Sequence, residues 1–190
     1  SIHGVSYEPD IIIEDIDDDV LFRYAIIFSN LDIFQILLKT KSDINQIVGG
    51  IFFYIFNETP ICCAVEKKQK EIVDFISKDP KFKVVNNCFK CSTELAYFAI
   101  PPTCKFIGDS AFYECFKLTY VEIPSTVTSI GKFAFYNCER LKKIAIPSSV
   151  KYIKSNAFCN CKSLTKVDIS SCSINSIEKS AFQNSSLKSI

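Results

Sequence analysis

From Leu95 onward the apolar positions recur on a fixed beat. Leu95, Leu118, Leu141, Leu164 and Leu187 are each 23 residues apart. Ala-Phe pairs travel with them at Ala111-Phe112, Ala134-Phe135, Ala157-Phe158 and Ala181-Phe182, spaced 23, 23 and 24 residues. A period of this length predicts a solenoid, in which each repeat buries its apolar face against its neighbours. After each leucine the pattern turns to alternation: Val121 and Ile123 alternate with Tyr120 and Glu122, as in a strand with one buried face. Pro101, Pro124 and Pro147 then end the strand, because proline brings no N–H to a ladder. A second apolar pair follows in each repeat: Cys104/Ile107, Val127/Ile130, Val150/Ile153 and Ile174/Ile177. The last pair comes one residue late through Ser170-Ser171-Cys172-Ser173, which accounts for the 24-residue step. Gly108 and Gly131 precede two of the Ala-Phe units and are expected to permit a turn there. Lys154 and Glu178 fill the same column, so that turn need not be left-handed in every repeat. Phe112, Phe135, Phe158 and Phe182 are expected to pile into an aromatic spine, with Phe89 one rung earlier.

The N-terminal half keeps a different rhythm. Ile33, Phe34, Ile36, Leu37 and Leu38 form a stripe with three-to-four spacing, and Ile72, Val73, Phe75 and Ile76 form another. Thr59-Pro60 reads as an N-cap followed by proline at the first helical position, where no N–H is needed. Two units of short helix, tight turn and second helix are predicted. They resemble the ankyrin repeat family. Its Thr-Pro-Leu-His-x-Ala motif appears as Thr59-Pro60-Ile61-Cys62-Cys63-Ala64, its Ile-Val-x-x-Leu-Leu as Ile72-Val73-Asp74-Phe75-Ile76-Ser77, and its closing Asp-Val-Asn as Asp43-Ile44-Asn45. Ala25 to Ala64 is 39 residues, against about 33 in the family. The excess lies at Gln46 to Phe56, where β-forming residues flank Gly49-Gly50 and predict a hairpin. Phe52, Phe53 and Tyr54 in that hairpin either pack on a neighbouring repeat or finger, or form an exposed aromatic anchor for a partner or a lipid surface.

The C-terminal repeats carry a second resemblance. Residues 121–141 supply Val121, Ile123-Pro124, Val127, Ile130-Gly131, Ala134-Phe135, Cys138 and Leu141 in one continuous motif. This is similar to the BspA-like leucine-rich repeat family, and the likeness covers residues 89–190. The departures are Cys104 for Val, Lys154 and Glu178 for Gly, and Ser170 for Pro. The expected fold is a two-part repeat solenoid. Ankyrin-like helical pairs occupy residues 1–87, with an acidic start and the inserted hairpin, and a leucine-rich repeat β-ladder occupies residues 88–190. The resemblance implies a binding protein of the cell-surface, adhesion or surface-antigen kind, with host-cell or extracellular-matrix proteins as partners.

Composition narrows the function further. The formal net charge of +1 gives no general case for nucleic acid binding. Residues 8–19 carry Glu8, Asp10, Glu14, Asp15, Asp17, Asp18 and Asp19 with no base among them, and this stretch is either a solvated edge or an interaction tail. The longest apolar run, Ile47 to Phe56, falls well short of the roughly 20 residues a membrane span needs. The start at Ser1 lacks a basic head and an apolar core, and the end at Ile190 falls within a strand. The expectation is a fragment or an uncapped last repeat, open to self-association through its apolar end. Of ten cysteines, Cys115, Cys138 and Cys161 share one repeat position. Small buried thiols fill such a column well, and three members of one column cannot all pair with each other. Free thiols in a reducing compartment are therefore expected, which favours the cytoplasm where the family resemblance implies the surface. Cys88-Phe89-Lys90-Cys91 has knuckle spacing, but no second pair follows and His3 is the only histidine, so no metal site is expected.

The outward positions of the strands form columns across the rungs. One column reads Tyr97, Tyr120, Lys143, Lys166; the next reads Ala99, Glu122, Ala145, Asp168. Tyrosines and lysines beside small residues suit an acidic protein or glycan surface, and an ordinary solvated sheet face would look the same. A lone histidine near the terminus and the lack of a glycine-rich phosphate loop argue against catalysis, and no cofactor is expected. The leading reading is a non-enzymatic protein-binding scaffold. The alternative is an intracellular adaptor that binds protein partners through the helical half. A third reading has the repeats presenting substrate to an enzymatic domain elsewhere.

Overall fold

The computed structural model describes residues 25–41, 60–169 and 173–188. The anticipated hairpin, with Phe52, Phe53 and Tyr54, lies outside these residues, as does the acidic stretch at 8–19. The helical part comprises α1 (Leu31–Lys41), α2 (Pro60–Glu66) and α3 (Lys70–Lys78). Pro60 opens α2 as expected of a residue with no N–H to satisfy. A turn at Lys67–Gln69 joins α2 to α3, closed by Gln69 N–H donating to Ala64 O at 2.8 Å. Ile72 and Ile76 of α3 are buried, with Val73 and Phe75 partly covered. The Phe34 and Phe75 rings meet edge to face at 6.4 Å. In α1 the buried stripe is narrower than anticipated: Phe34 and Leu37 face the core, while Ile33 and Ile36 are exposed. One helix face suffices because α1 packs along α3.

The C-terminal part is a coil of short parallel strands. The longer set is β1 (Tyr97–Ala99), β3 (Tyr120–Glu122), β5 (Lys143–Ala145) and β7 (Lys166–Asp168). The shorter set is β2 (Phe106–Ile107), β4 (Ser129–Ile130), β6 (Tyr152–Ile153) and β8 (Ser176–Ile177). The shorter set makes one continuous parallel sheet in the order β2-β4-β6-β8. The longer set splits into two hydrogen-bonded pairs, β1-β3 and β5-β7. Every pairing in the longer set joins residues one repeat apart, such as Phe98 with Val121 and Ile144 with Val167. The 23-residue beat is thus the height of one rung.

The aromatic spine forms as expected. Phe89, Phe112, Phe135, Phe158 and Phe182 stack face to face at 5.1, 5.0, 5.1 and 5.1 Å between successive centroids. Their backbones climb in step, each N–H of Phe89, Phe112, Phe135 and Phe158 donating to the alanine carbonyl of the next rung at 2.7 Å. The last apolar pair departs from the pattern. Ile177 is 45% exposed, where Ile107, Ile130 and Ile153 are buried. It lies on the outermost described strand of its sheet, with a neighbour on one side only.

The turns before Ala111 and Ala134 form directly after Gly108 and Gly131, but not through a left-handed glycine. The glycines give room instead: a methyl at Gly108 would lie 2.3 Å from the Val85 carbonyl carbon, and one at Gly131 would lie 2.6 Å from Asp109 Oδ1. The left-handed positions come two residues later, at Ser110, Phe133, Asn156 and Ser180, with Asn87 one rung before. A second left-handed column holds Cys91, Glu114, Asn137, Asn160 and Asn184. Asparagine tolerates this conformation far better than phenylalanine does. Phe133, 37% exposed, is therefore the anomaly of its column. Phe133→Asn should leave stability within about 0.5 kcal/mol of the parent, the relief of backbone strain offsetting the removal of edge-to-face packing on Tyr136. A denaturant titration checks this, and a loss of about 2 kcal/mol would show that the ring matters more than its backbone.

Candidate functional site

The strand alternation sets the outward face. In β1, β3, β5 and β7 the central residue is buried and its two neighbours are exposed. Tyr97 and Tyr120 stand side by side in register, their rings stacked at 5.7 Å with an 8° tilt. The Tyr97 hydroxyl donates to Glu122 Oε2 at 3.2 Å, joining the tyrosine column to the next. Partial desolvation of the phenol and then this carboxylate raise the Tyr97 pKa, so the hydroxyl stays protonated at neutral pH. Lys143 and Lys166 are likewise in register, as are Ala145 and Asp168. The ladder does not bond across β3 and β5, so the strip has a tyrosine half and a lysine half. Glu122 and Asp168 fall in different halves and are not brought together. Among the described residues, Lys143 and Lys166 enter no ion pair. Like charges held side by side on an open face, with Asp168 the one acid among the outward residues of β5 and β7, leave this half net positive.

The cysteine column is internal. The thiols of Cys115, Cys138 and Cys161 each donate to a carbonyl of the preceding rung, Phe89 O, Phe112 O and Phe135 O, all at 3.1 Å. Burial pushes all three thiols up, Cys161 to about 12. They are protonated packing groups and not nucleophiles at neutral pH. Among the described residues no group of three metal-ligating side chains comes together. No helix there is long and apolar enough to cross a membrane.

A second patterned surface lies outside the strands, where strand alternation gives no hint of it. On the turn side Tyr113 and Tyr136 stack at 5.0 Å, with Lys90 Nζ 5.5 Å from the Tyr113 ring centre. Asn160 Nδ2 donates to the Tyr136 hydroxyl at 3.1 Å, and Asn184 Nδ2 to Asn160 Oδ1 at 2.9 Å. The sequence does carry a signal for it, since Tyr113 and Tyr136 are 23 residues apart.

The model of the BspA type leucine rich repeat region matches residues 83–190 in six copies. The chain belongs to this family. The match covers the spine, both strand sets and the cysteine column of this leucine-rich repeat protein. No curated protein matches the chain in sequence. Among solved structures it is similar to a leucine-rich repeat protein of T. pallidum, at 31% identity over 44% of this chain and 39% of that one, with a TM-score of 0.43. It is similar to a leucine rich cell surface protein from Faecalibacterium prausnitzii, at 31% identity over 44% of this chain and 22% of that one, TM-score 0.41. A leucine-rich repeat protein from Bacteroides capillosus matches at 28% identity over 45% of this chain and 61% of that one, TM-score 0.41. The chain thus spans well under two thirds of the length of the first two.

Proposed function

We propose that this repeat protein is a non-enzymatic scaffold that binds a protein partner through the outward face of β1, β3, β5 and β7. The observation that carries the reading is the exposed strip itself, a stacked tyrosine pair continued by two lysines that enter no ion pair among the described residues. Stacked tyrosines offer contact area at little cost in conformational entropy. The lysines favour an acidic partner surface. Adhesion at a cell surface, or a surface-antigen role, is the specific function we attach to the scaffold, on the strength of the family. The adaptor alternative draws on the buried thiols, which bond to carbonyls in the reduced form. The proposal keeps residues 1–87 as an ankyrin-like unit ahead of the ladder at 88–190, and the paired helices α2 and α3 support that division.

The test is Tyr120→Ala combined with Lys143→Glu. Both side chains are exposed, so the fold should survive with only a modest drop in melting temperature from the lost Tyr97–Tyr120 stack. Affinity for matrix proteins or lysate partners in a pull-down should fall about tenfold, as expected when an aromatic anchor and a charge are removed together. Full retention of binding would overturn the reading.

A further inference from the structure

The strip does not end at β1. Beside it, where the helices meet the first rung, lies an open cleft of about 290 Å³. Val65, Val73, Leu95 and Ala96 give it an apolar floor, Lys68 and Lys70 stand at its rim, and Tyr97 forms its border with the strip. That volume is at the lower end for a ligand pocket, and suits one large side chain better than a cofactor. The acid that lines the cleft is already paired from within: Glu94 accepts from Lys117 Nζ at 2.6 Å and lies 3.9 Å from Lys68 Nζ. Glu122, further along, accepts the Tyr97 hydroxyl. Asp168 shares the outward face of β7 with Lys166, two residues along, so the outward positions of β5 and β7 hold two cations against one carboxylate. Lys70, like Lys143 and Lys166, enters no ion pair among the described residues. The line from cleft to lysine half thus presents an apolar socket, two tyrosines and cations without ion pairs at both ends.

We infer that this line recognises an extended acidic peptide that seats one large apolar side chain in the cleft and lays its carboxylates against Lys70, Lys143 and Lys166. The inference rests on the strand face being the binding surface, and it names the chemistry of the partner. Charge complementarity selects acid over base, and the continuity of cleft and strip through Tyr97 sets the direction of the peptide. Three rungs at about 4.8 Å place Lys166 roughly 15 Å from Tyr97. An extended segment of roughly five residues covers that distance, and two or three more carry its anchor into the cleft.

The experiment pans displayed random peptides of roughly that length on the full chain, then measures the enriched peptides on three variants. Ala96→Trp fills the cleft from an exposed position, and Lys70→Glu reverses the rim charge. Tyr120→Ala with Lys143→Glu alters the strip. The expected peptides carry Asp or Glu flanking a single Phe, Leu or Ile. They should lose about tenfold in affinity on Ala96→Trp and on Lys70→Glu, and weaken as salt is raised. Thermal melts of the two cleft variants should match the parent. Peptides without acidic bias, or peptides that bind Ala96→Trp as tightly as the parent, overturn the inference. If Ala96→Trp abolishes binding while the strip variant keeps it, the cleft stands and the strip reading fails. If the strip variant alone loses binding, the strip stands and the cleft falls.

Discussion

Phe135→Ala should cost about 3–5 kcal/mol of folding stability, the range for deleting a buried aromatic without collapse of the cavity. The ring is fully buried and stacked on both sides, by Phe112 at 5.0 Å and Phe158 at 5.1 Å. Its neighbours are held by their own rung-to-rung backbone bonds, so they have little freedom to close the gap. In a domain with a margin of about 5–15 kcal/mol, this is a large part of the whole. Denaturant titration of the full chain measures it. Phe182→Ala provides the internal comparison. That ring stacks on Phe158 and is only partly buried, so its loss should be about half as large. Equal and small losses at both positions would mean that the spine is not what holds the rungs together.

Glu66→Ala should release the helices from the ladder, at a cost of roughly 2 kcal/mol. Glu66 ends α2 and receives three hydrogen bonds from the first turn before β1. These come from Ser92 Oγ at 2.8 Å, Thr93 Oγ1 at 2.8 Å and Glu94 N–H at 3.0 Å. Ser92 is the buried polar residue of the described core, so its hydroxyl would lose its acceptor away from water. The figure is held below the sum for three charged bonds because the carboxylate is partly open to solvent. Burial alone would raise the Glu66 pKa, but the Glu94 N–H and the two hydroxyls outweigh it and hold it below the usual 4.5. The contribution is therefore complete above that value and drains away as pH falls through the lowered one. The parent should lose stability in that acidic window, and Glu66→Ala should lose less there. Parallel acid-titration curves for the two proteins would refute the assignment. Hydrogen exchange at α2 and α3, faster in the variant than in the ladder, would locate the release.

Much of the ladder is legible in the chain because a repeat writes its own tertiary contacts into the sequence. Positions 23 apart must meet when each rung has that length, so Phe112 over Phe135 and Tyr97 over Tyr120 follow from counting. The stripe of α3 is legible for a similar local reason, a helical period against one covered face. In α1 the same reasoning overreaches. Ile33 and Ile36 continue the apolar pattern but face outward, since the width of a stripe depends on how many neighbours the helix has. The glycines mislead for a reason of the same kind. A glycine in sequence suggests an unusual dihedral, yet Gly108 is needed because Val85 and Asn86 of the preceding rung pass within 2.7 Å of where its Cβ would be.

What the amino-acid order determined by itself is whatever depends on spacing: the rung height, the alternation that turns Tyr97, Tyr120, Lys143 and Lys166 outward, and the burial of the thiol column. What only the tertiary structure decided is whatever joins residues that share no period. Glu66 reaches Ser92 across 26 residues, and the cleft forms where Val65 and Val73 of a helical pair come to face Leu95 and Ala96 of a strand turn. A repeat fixes its neighbour at a constant offset, so counting recovers it. A junction between two architectures has no such offset, and its contacts exist only once both have folded and docked.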